Sequence, residues 1–163
     1  MNKATQEVMF SSKHGDWSTP QDFFDKLGWQ FGPFTLDPCA TADNTKCDIF
    51  YTEENDGLKQ DWSGHTVFVN PPYGRGIDRW IEKGFAAGKE ADTRVVMLIP
   101  ARTDTRYWHD YVMKAAKVYF IKGRLKFGNH TNSAPFPSAV VVFDGLQEKY
   151  DYGPLQIFGS MNR

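Results

Sequence analysis

The stretch Val67–Gly76 reads VFVNPPYGRG, a strand-like apolar run stopped by two prolines. Neither Pro71 nor Pro72 can donate a ladder hydrogen bond, and each restricts the residue before it, so the strand ends here. Asn70 and Tyr73 are therefore expected on a stiff, extended turn. In open parallel sheets, ligands bind at the end of the strands. The stretch thus predicts a functional site rather than simple packing.

Strand and helix patterns alternate on either side of this stretch. IDRWIEKGFAAGK (77–89) has a helical period, and TRVVMLIPA (93–101) is a continuous apolar run, typical of a strand buried on both faces. KVYFIKG (117–123) and SAVVVFDG (138–145) follow as two strands with no helix between them. This order predicts an α/β fold with a mostly parallel sheet and an antiparallel edge at the C-terminal end.

Two further helices are predicted from their first residues. One begins at Thr19-Pro20, with Ser18 or Thr19 as N-cap and Pro20 at the first helical position, and Gly28 is expected to end it. The other is DTRYWHDYVMKAA, with Asp104 as its N-cap.

The chain of 163 residues is predicted to form one domain over 17–163, preceded by a flexible polar segment over 1–16. No segment approaches the length of a membrane span and the N-terminus lacks a signal-peptide core, so we expect a cytoplasmic protein.

Cys39 and Cys47 have no common zinc spacing and the four histidines are scattered, which predicts reduced thiols and no metal site. The oligomeric state is left open.

Charge is distributed unevenly, although the net charge is only −1. Between Asp16 and Asp61 there are ten acidic residues against three lysines, whereas Arg94–Lys126 holds eight basic residues against two acids. The second segment is a candidate for contact with nucleic-acid phosphates, and a solvated surface is the alternative.

Asn-Pro-Pro-Tyr offers a specific chemistry to a planar, conjugated amine such as that of adenine. Acceptors on the Asn70 side chain and the Pro71 carbonyl can bind both amine hydrogens, which frees the nitrogen lone pair for attack. Tyr73 can stack on a base that has left the duplex and hold it in line with an electrophile. A stiff turn without chemistry is the alternative.

This motif resembles the catalytic motif of S-adenosylmethionine (SAM)-dependent amino-methyltransferases. WSTP, LDPCA, DGL, NPPYG, LIPA, GRLKF and PSAVVVF together, over residues 17–145, are similar to the phage and prophage Dam-type DNA N6-adenine methyltransferases. The resemblance implies a single-domain, Rossmann-like SAM-dependent methyltransferase acting on DNA in the cytoplasm of a bacterial host. Both a role in restriction-modification and other roles are compatible with it.

The resemblance also implies which residues bind the cofactor and the base. The catalytic residues would be Asn70, Pro71, Pro72 and Tyr73. The cofactor would be held by three segments: Trp17, Ser18, Thr19 and Pro20 at its methionine end, Asp37, Pro38, Cys39 and Ala40 at its ammonium group, and Asp56 and Leu58 at its adenine, with Asp61 as backup. Ser18 and Asp37 have caps of a helix and a turn as alternative roles.

Phe127 would cover the other face of the flipped base, with Phe136 as the alternative, or belong to the core. Phosphate contacts would come from Arg124 and Lys126, with Arg102 and Arg106 as further candidates.

The sequence departs from larger methyltransferases in two ways. DPCAT lacks the glycine-rich first motif, and only 32 residues separate Asp37 from Asn70. The acid that binds the ribose is therefore unassigned, with Glu53 and Glu54 as candidates. We expect no separate target-recognition domain, so recognition of the DNA sequence would fall to the loop 123–137 or be slight.

The predicted activity is direct methyl transfer from SAM to adenine N6 in DNA, single- or double-stranded. Methylation of RNA bases or of protein glutamine is the alternative within the enzyme class. A non-catalytic nucleic-acid-binding module on the same fold is the alternative outside it.

Overall fold

A six-stranded mixed sheet forms the centre of the fold. The computed structural model describes residues 18–128 and 133–145. The segment predicted to be flexible, 1–16, and Trp17 lie outside these ranges. In chain order the elements are α1 (Gln21–Phe31), β1 (Leu36–Asp37), β2 (Ile49–Phe50), β3 (Thr66–Val69), α2 (Ile77–Ala87), β4 (Arg94–Pro100), α3 (Arg106–Asp110), β5 (Lys117–Phe120) and β6 (Ser138–Asp144).

One half of the sheet is parallel, as the alternating patterns predicted. β1 pairs with β2 and with β3, and β3 pairs with β4, all in parallel. The carboxyl ends of β1, β3 and β4 therefore meet at one edge of the sheet, which we call the site edge. It carries Asp37, Asn70 and Ala101 at or just after the three strand ends.

The other half is antiparallel, but its arrangement differs from a simple C-terminal edge. β6 pairs antiparallel with β5, as predicted, yet it lies between β4 and β5, so β5 forms the edge. Because β6 lies next to β4, β4 has seven residue pairs with β6 on one side and four with β3 on the other. All seven residues of β4 are buried, which is the physical reason for its continuous apolar run.

The two longer helices cover opposite faces of the sheet. Phe24 of α1 packs edge-on against Phe68 of β3, with ring centroids 5.0 Å apart at 78°. Gly84 of α2 lies against Met97 of β4. Met97 pairs with Val69, so these two side chains lie on the face of the sheet opposite to that of Phe68. Among the described residues, no helix has the length and apolar character needed to cross a bilayer.

Helix α1 does not end at Gly28 as predicted. It continues to Phe31, because Phe23, Leu27 and Phe31 form one buried face whose packing outweighs the cost of an internal glycine, about 1 kcal/mol. The helix begins after Pro20, and no side chain caps it, so the predicted capping role of Ser18 or Thr19 is wrong.

The second predicted helix is shorter than expected. The α-helix α3 starts at Arg106, after Thr105 rather than after Asp104, and is followed by the 3-10 turn Val112–Lys114. Trp108 and Val112 are still buried on one side, but the chain must leave the helix to enter β5.

Arg94 belongs to the fold and not to a phosphate-binding surface. Its side chain is buried at the start of β4, where it is 3.3 Å from the Asp144 carboxylate and donates to the Phe31 carbonyl oxygen at 2.8 Å. One of the eight basic residues counted in the sequence is thereby used to join β4, β6 and the end of α1.

Replacing Arg94 with Met should lower the free energy of unfolding by about 3 kcal/mol, because Asp144 would remain buried without its charge partner. The matched control is Arg106→Met, which breaks the exposed ion pair with Asp110 (3.3 Å) and should cost less than about 1 kcal/mol. Denaturant unfolding of both variants measures the difference, and equal losses would contradict this role of Arg94.

Candidate active site

Asp37 and Asn70 lie side by side at the site edge because their strands are neighbours. β1 and β3 pair with Leu36 opposite Val67, and Asp37 and Asn70 follow at or just after the strand ends. The two prolines after Asn70 end β3, as their missing N–H groups predicted. The 32 intervening residues therefore bring an acid and an amide from two motifs into one place.

The two side chains border an open cleft enclosing about 480 Å³ of empty space, part of it continuous with solvent. Seven predicted site residues line the cleft: Ser18, Thr19, Asp37, Cys39, Asn70, Pro71 and Pro72. Three residues that were not predicted complete it: Asn44, Lys46 and Phe68. Pro20, Pro38, Ala40, Asp56, Leu58 and Tyr73 are outside this lining.

The Asp37 carboxylate is buried yet accepts two backbone hydrogen bonds. Cys39 N–H donates to its Oδ1 at 3.4 Å and Lys46 N–H donates to its Oδ2 at 3.2 Å. Burial nevertheless raises the pKa of Asp37 to about 6, against the lowering by these bonds and by the Lys46 charge. The alternative turn-capping role of Asp37 is thus realised in part, and the carboxylate still borders the cleft.

The turn that connects β1 to β2 places Asn44 and Lys46 at the cleft. Lys46 donates from Nζ to Gln21 Oε1 at 3.0 Å, and Asn44 accepts from the Thr41 N–H at 2.7 Å. The polar composition of the segment between the first two strands was the only local indication that it could contribute to a site. That the segment returns to contact Asp37 could not be predicted from local sequence.

The Asn70 amide is oriented by a residue far away in the sequence. Its Nδ2 donates to Thr19 Oγ1 at 3.0 Å, and Thr19 is buried at the start of α1. Asn70 Oδ1 is also enclosed by protein. This bond joins the WSTP and NPPY segments directly.

Tyr73 lies in an aromatic cluster and not on the open cleft. Its ring is edge-on to Phe127 (centroids 5.9 Å apart, 82°) and to Phe136 (5.2 Å, 88°), and its hydroxyl donates to the Leu98 carbonyl oxygen at 3.3 Å. All three rings are buried. Both phenylalanines considered as partners of Tyr73 thus contact it, while the ring presents no open face.

Comparison with known proteins agrees with these motifs. A family described as DNA N-6-adenine-methyltransferase (Dam) matches residues 7–160. The chain belongs to this family. It is similar to the DNA N-6-adenine-methyltransferase of Haemophilus phage HP1, with 31% identity over 148 residues that cover 86% of this chain and 83% of that protein. It is also similar to the protein of the same name from Escherichia phage T1, with 32% identity over 110 residues, 67% of this chain.

The chain matches only part of the longer relative. The matched region spans 45% of the phage T1 protein, so about half of that family member lies beyond the likeness.

The segment Asp56–Leu58 packs directly on the turn that follows β1. A Cβ added to Gly57 would lie 1.9 Å from the Pro38 carbonyl oxygen, so only glycine fits. Asp56 has a positive φ of 53°, accepts from the Leu58 N–H at 3.3 Å and forms an ion pair with Lys59 at 3.5 Å.

The other acids considered for cofactor binding differ in position. Asp61 is exposed, and its Oδ1 accepts from the Ser63 N–H and hydroxyl at 2.9 and 2.7 Å, which lowers its pKa. Glu53 and Glu54 are exposed, and the charge of Glu53 acts on the Cys39 thiol at the cleft.

The two thiols are free and protonated. Burial, followed by the charge of Asp37, raises the pKa of both Cys39 and Cys47 to about 12. Neither is suited to nucleophilic attack at neutral pH. Within the described ranges, no group of three or more His, Cys, Asp or Glu side chains is arranged to hold a metal ion.

The predicted phosphate contacts are on the surface. Arg124 and Lys126 are exposed, and Arg124 also donates to the Ala134 carbonyl oxygen at 3.3 Å across the base of the loop. Arg106 is paired with Asp110, and Arg102 is half-buried.

Gly57→Ala should destabilise the protein by about 2 kcal/mol, because the new methyl group would collide with the Pro38 backbone. The control is Gly28→Ala, whose Cβ meets nothing within 4 Å and which should stabilise α1 by about 0.5–1 kcal/mol. Denaturant unfolding tests both signs. A neutral Gly57→Ala variant would contradict the close packing of the two segments.

Proposed function

We propose that this chain transfers a methyl group from S-adenosylmethionine directly to the exocyclic N6 amine of an adenine in DNA. The observation that carries the proposal is the meeting of Asp37 and Asn70, from the two motifs named above, in one cleft at the site edge. Membership of the family supports the substrate. Such an enzyme would meet its DNA in the cytoplasm of a bacterial host.

The fold described above supports this function. The parallel half of the sheet, with a cleft at its carboxyl ends and helices on both faces, is compatible with a Rossmann-like methyltransferase in a single domain spanning 17–163. The antiparallel strand β6 adds to the opposite half and leaves the cleft open.

The chemistry of the cleft fits the zwitterionic methionine end of the cofactor. Asp37 offers a buried carboxylate to an ammonium group, while Lys46 places a cation on the same cleft, where a carboxylate would be bound. Ser18 and Thr19 would contact the same end, and the segment Asp56–Leu58, packed on Pro38, would extend the site towards the cofactor's adenine. When bound, the cofactor supplies an electrophilic methyl group on a sulfonium, which is a good leaving group.

Asn70 and Pro71 would activate the acceptor amine. The Asn70 Oδ1 and the Pro71 carbonyl oxygen accept the two N6 hydrogens, which favours a tetrahedral nitrogen with its lone pair available. The N–CH₃ bond forms as the S–CH₃ bond breaks, and the extra proton on nitrogen leaves to solvent. Catalysis then consists of positioning and preorganised hydrogen bonds, with no covalent intermediate.

Binding of the flipped base requires the aromatic cluster to open. Tyr73 can offer a ring face only if Phe127 or Phe136 moves away from its present edge-on position. The cost of unstacking a base, a few kcal/mol, would be offset by its stacking in the opened cluster.

The surface beside the cluster suits a polyanion with aromatic bases. Phe120 lies at the carboxyl end of β5 and is 67% exposed. The buried Trp108 stacks on Phe120, with ring centroids 6.2 Å apart and an interplanar angle of 27°. Phe120 is three strand spacings, roughly 14 Å, from β3. About four base steps along a DNA strand span the same distance. The exposed Lys122, Arg124 and Lys126 follow Phe120 in the chain. Basic and aromatic side chains at one edge favour nucleic acid over a protein glutamine.

The decisive experiment transfers radiolabelled methyl groups from SAM to adenine-containing DNA, followed by separation of the nucleosides. We expect label in N6-methyladenine. Asn70→Ala should reduce kcat by at least 100-fold, because it removes an acceptor that acts in the transition state, while the Kd for SAM changes little.

Other outcomes would redirect the assignment. Label in RNA or in protein glutamine, with none in DNA, would move the substrate, and SAM binding without any transfer would indicate a binding module. A collapse of SAM affinity in Asn70→Ala would make Asn70 structural.

SAM binding should weaken at acidic pH. The pKa of Asp37 in the free protein is about 6, and an ammonium ligand needs the ionised carboxylate. The Kd for SAM should therefore rise roughly tenfold from pH 7 to pH 5.

Because the folded-state pKa exceeds the unfolded value of 3.8, the same group stabilises the free protein only at low pH and loses that effect as pH rises through 6.

Calorimetric titration at pH 5, 6 and 7 measures the pH dependence of SAM binding. Asp37→Asn should bind SAM weakly and with little pH dependence, whereas the control Asp92→Asn, an exposed position just before β4 at the opposite edge of the sheet, should behave like the unmodified protein. A flat profile for the unmodified protein would refute the ammonium contact of Asp37.

A further inference from the structure

The hydrogen bond between Asn70 and Thr19 connects two segments separated by 51 positions in the chain. Asn70 follows β3, and Thr19 precedes α1. Thr19 is 3% exposed and Asn70 is half-buried, so the contact is partly buried at the wall of the cleft. Thr19 does not cap the helix, so this bond of 3.0 Å to a side chain at the centre of the proposed chemistry has a different role.

The bond determines which end of the Asn70 amide can meet the substrate. A carboxamide carries an acceptor on one side of Cγ and two donors on the other, and a half-turn about Cβ–Cγ exchanges them. Oriented correctly, it presents oxygen to the N6 hydrogens. Oriented the other way, it presents N–H groups to N–H groups, which cannot bind.

We propose that Thr19 is a positioning residue for methyl transfer. Its Oγ1 accepts a hydrogen bond from Asn70 Nδ2 and thereby holds Oδ1 in the orientation that binds the acceptor amine. This inference rests on the proposed function of Asn70 and adds a role for Thr19 that is separate from contact with the cofactor.

The hydroxyl suits this role because it can accept and donate at once. While Oγ1 accepts from Asn70, its own hydrogen remains directed elsewhere, so a ligand acceptor in the cleft can bind Thr19 without displacing the amide. Valine has the same shape as threonine and lacks this acceptor, so Thr19→Val removes the orienting bond with little change in packing.

The test compares Thr19→Val with Thr19→Ser and with a matched control, Thr93→Val. Thr93 is also fully buried, and its hydroxyl accepts from the Gly64 N–H at 3.0 Å, at the opposite edge of the sheet. We expect Thr19→Val to lower kcat at saturating SAM roughly tenfold and to weaken SAM binding by a smaller factor, because the hydroxyl that would contact the cofactor is also lost, and we expect Thr19→Ser to restore most of the rate. Thr93→Val should lose thermal stability and keep kcat.

A double-variant cycle separates positioning from other effects. In an Asn70→Ala background, Thr19→Val should have no further effect on kcat, because there is no amide left to orient. A full tenfold loss in that background, or a loss of SAM affinity equal to the loss of rate, would overturn the proposal.

An activity-independent measurement tests the bond itself. The side-chain NH₂ signal of Asn70, identified in ¹⁵N spectra by its loss in Asn70→Asp, should exchange slowly with water and become fast in Thr19→Val but not in Thr93→Val. Unchanged exchange in Thr19→Val would refute the inference. If the bond is present but the unmodified protein methylates no DNA, the substrate assignment fails and the positioning role fails with it.

Discussion

The parallel pairing of β1 with β3 is the constraint on which the cleft depends. It sets Asp37 beside Asn70, yet β1 is only two residues long, so its ladder alone fixes it weakly. The Thr35 N–H bond to the Thr66 carbonyl oxygen at 2.8 Å extends the pairing by one position. The packing of Gly57 on Pro38 holds the turn beyond β1 from the other side. A short strand is thus placed mainly by its surroundings.

The candidate site consists of an open part and a closed part. The cleft around Asp37, which we propose binds the cofactor, is preformed. Its buried carboxylate, with a pKa near 6, would gain from a cationic ligand that compensates the lost hydration. The aromatic cluster around Tyr73 is closed by edge-on rings. On the proposed function, this division favours cofactor binding before the base enters, since only the second step needs side chains to move.

Much of the fold follows from local pattern, and its errors have identifiable causes. The prolines after Asn70, the apolar run of β4 and the helical period of α2 each determine an element by local sterics or by burial. Gly28 did not end α1, because tertiary packing of one buried face outweighs a single weak helix former. Likewise, no local signal indicates that β6 inserts between β4 and β5, because strand order is decided by long-range pairing.

The sequence by itself determined that a strand must stop at Asn70, since proline chemistry and apolar runs act within a few residues. The same motifs identified the family. Only the tertiary structure decided that Thr19 bonds to Asn70, that Lys46 enters the cleft and that Tyr73 is buried. These contacts join segments distant in the chain, and their formation depends on how the surrounding elements pack rather than on the residues alone.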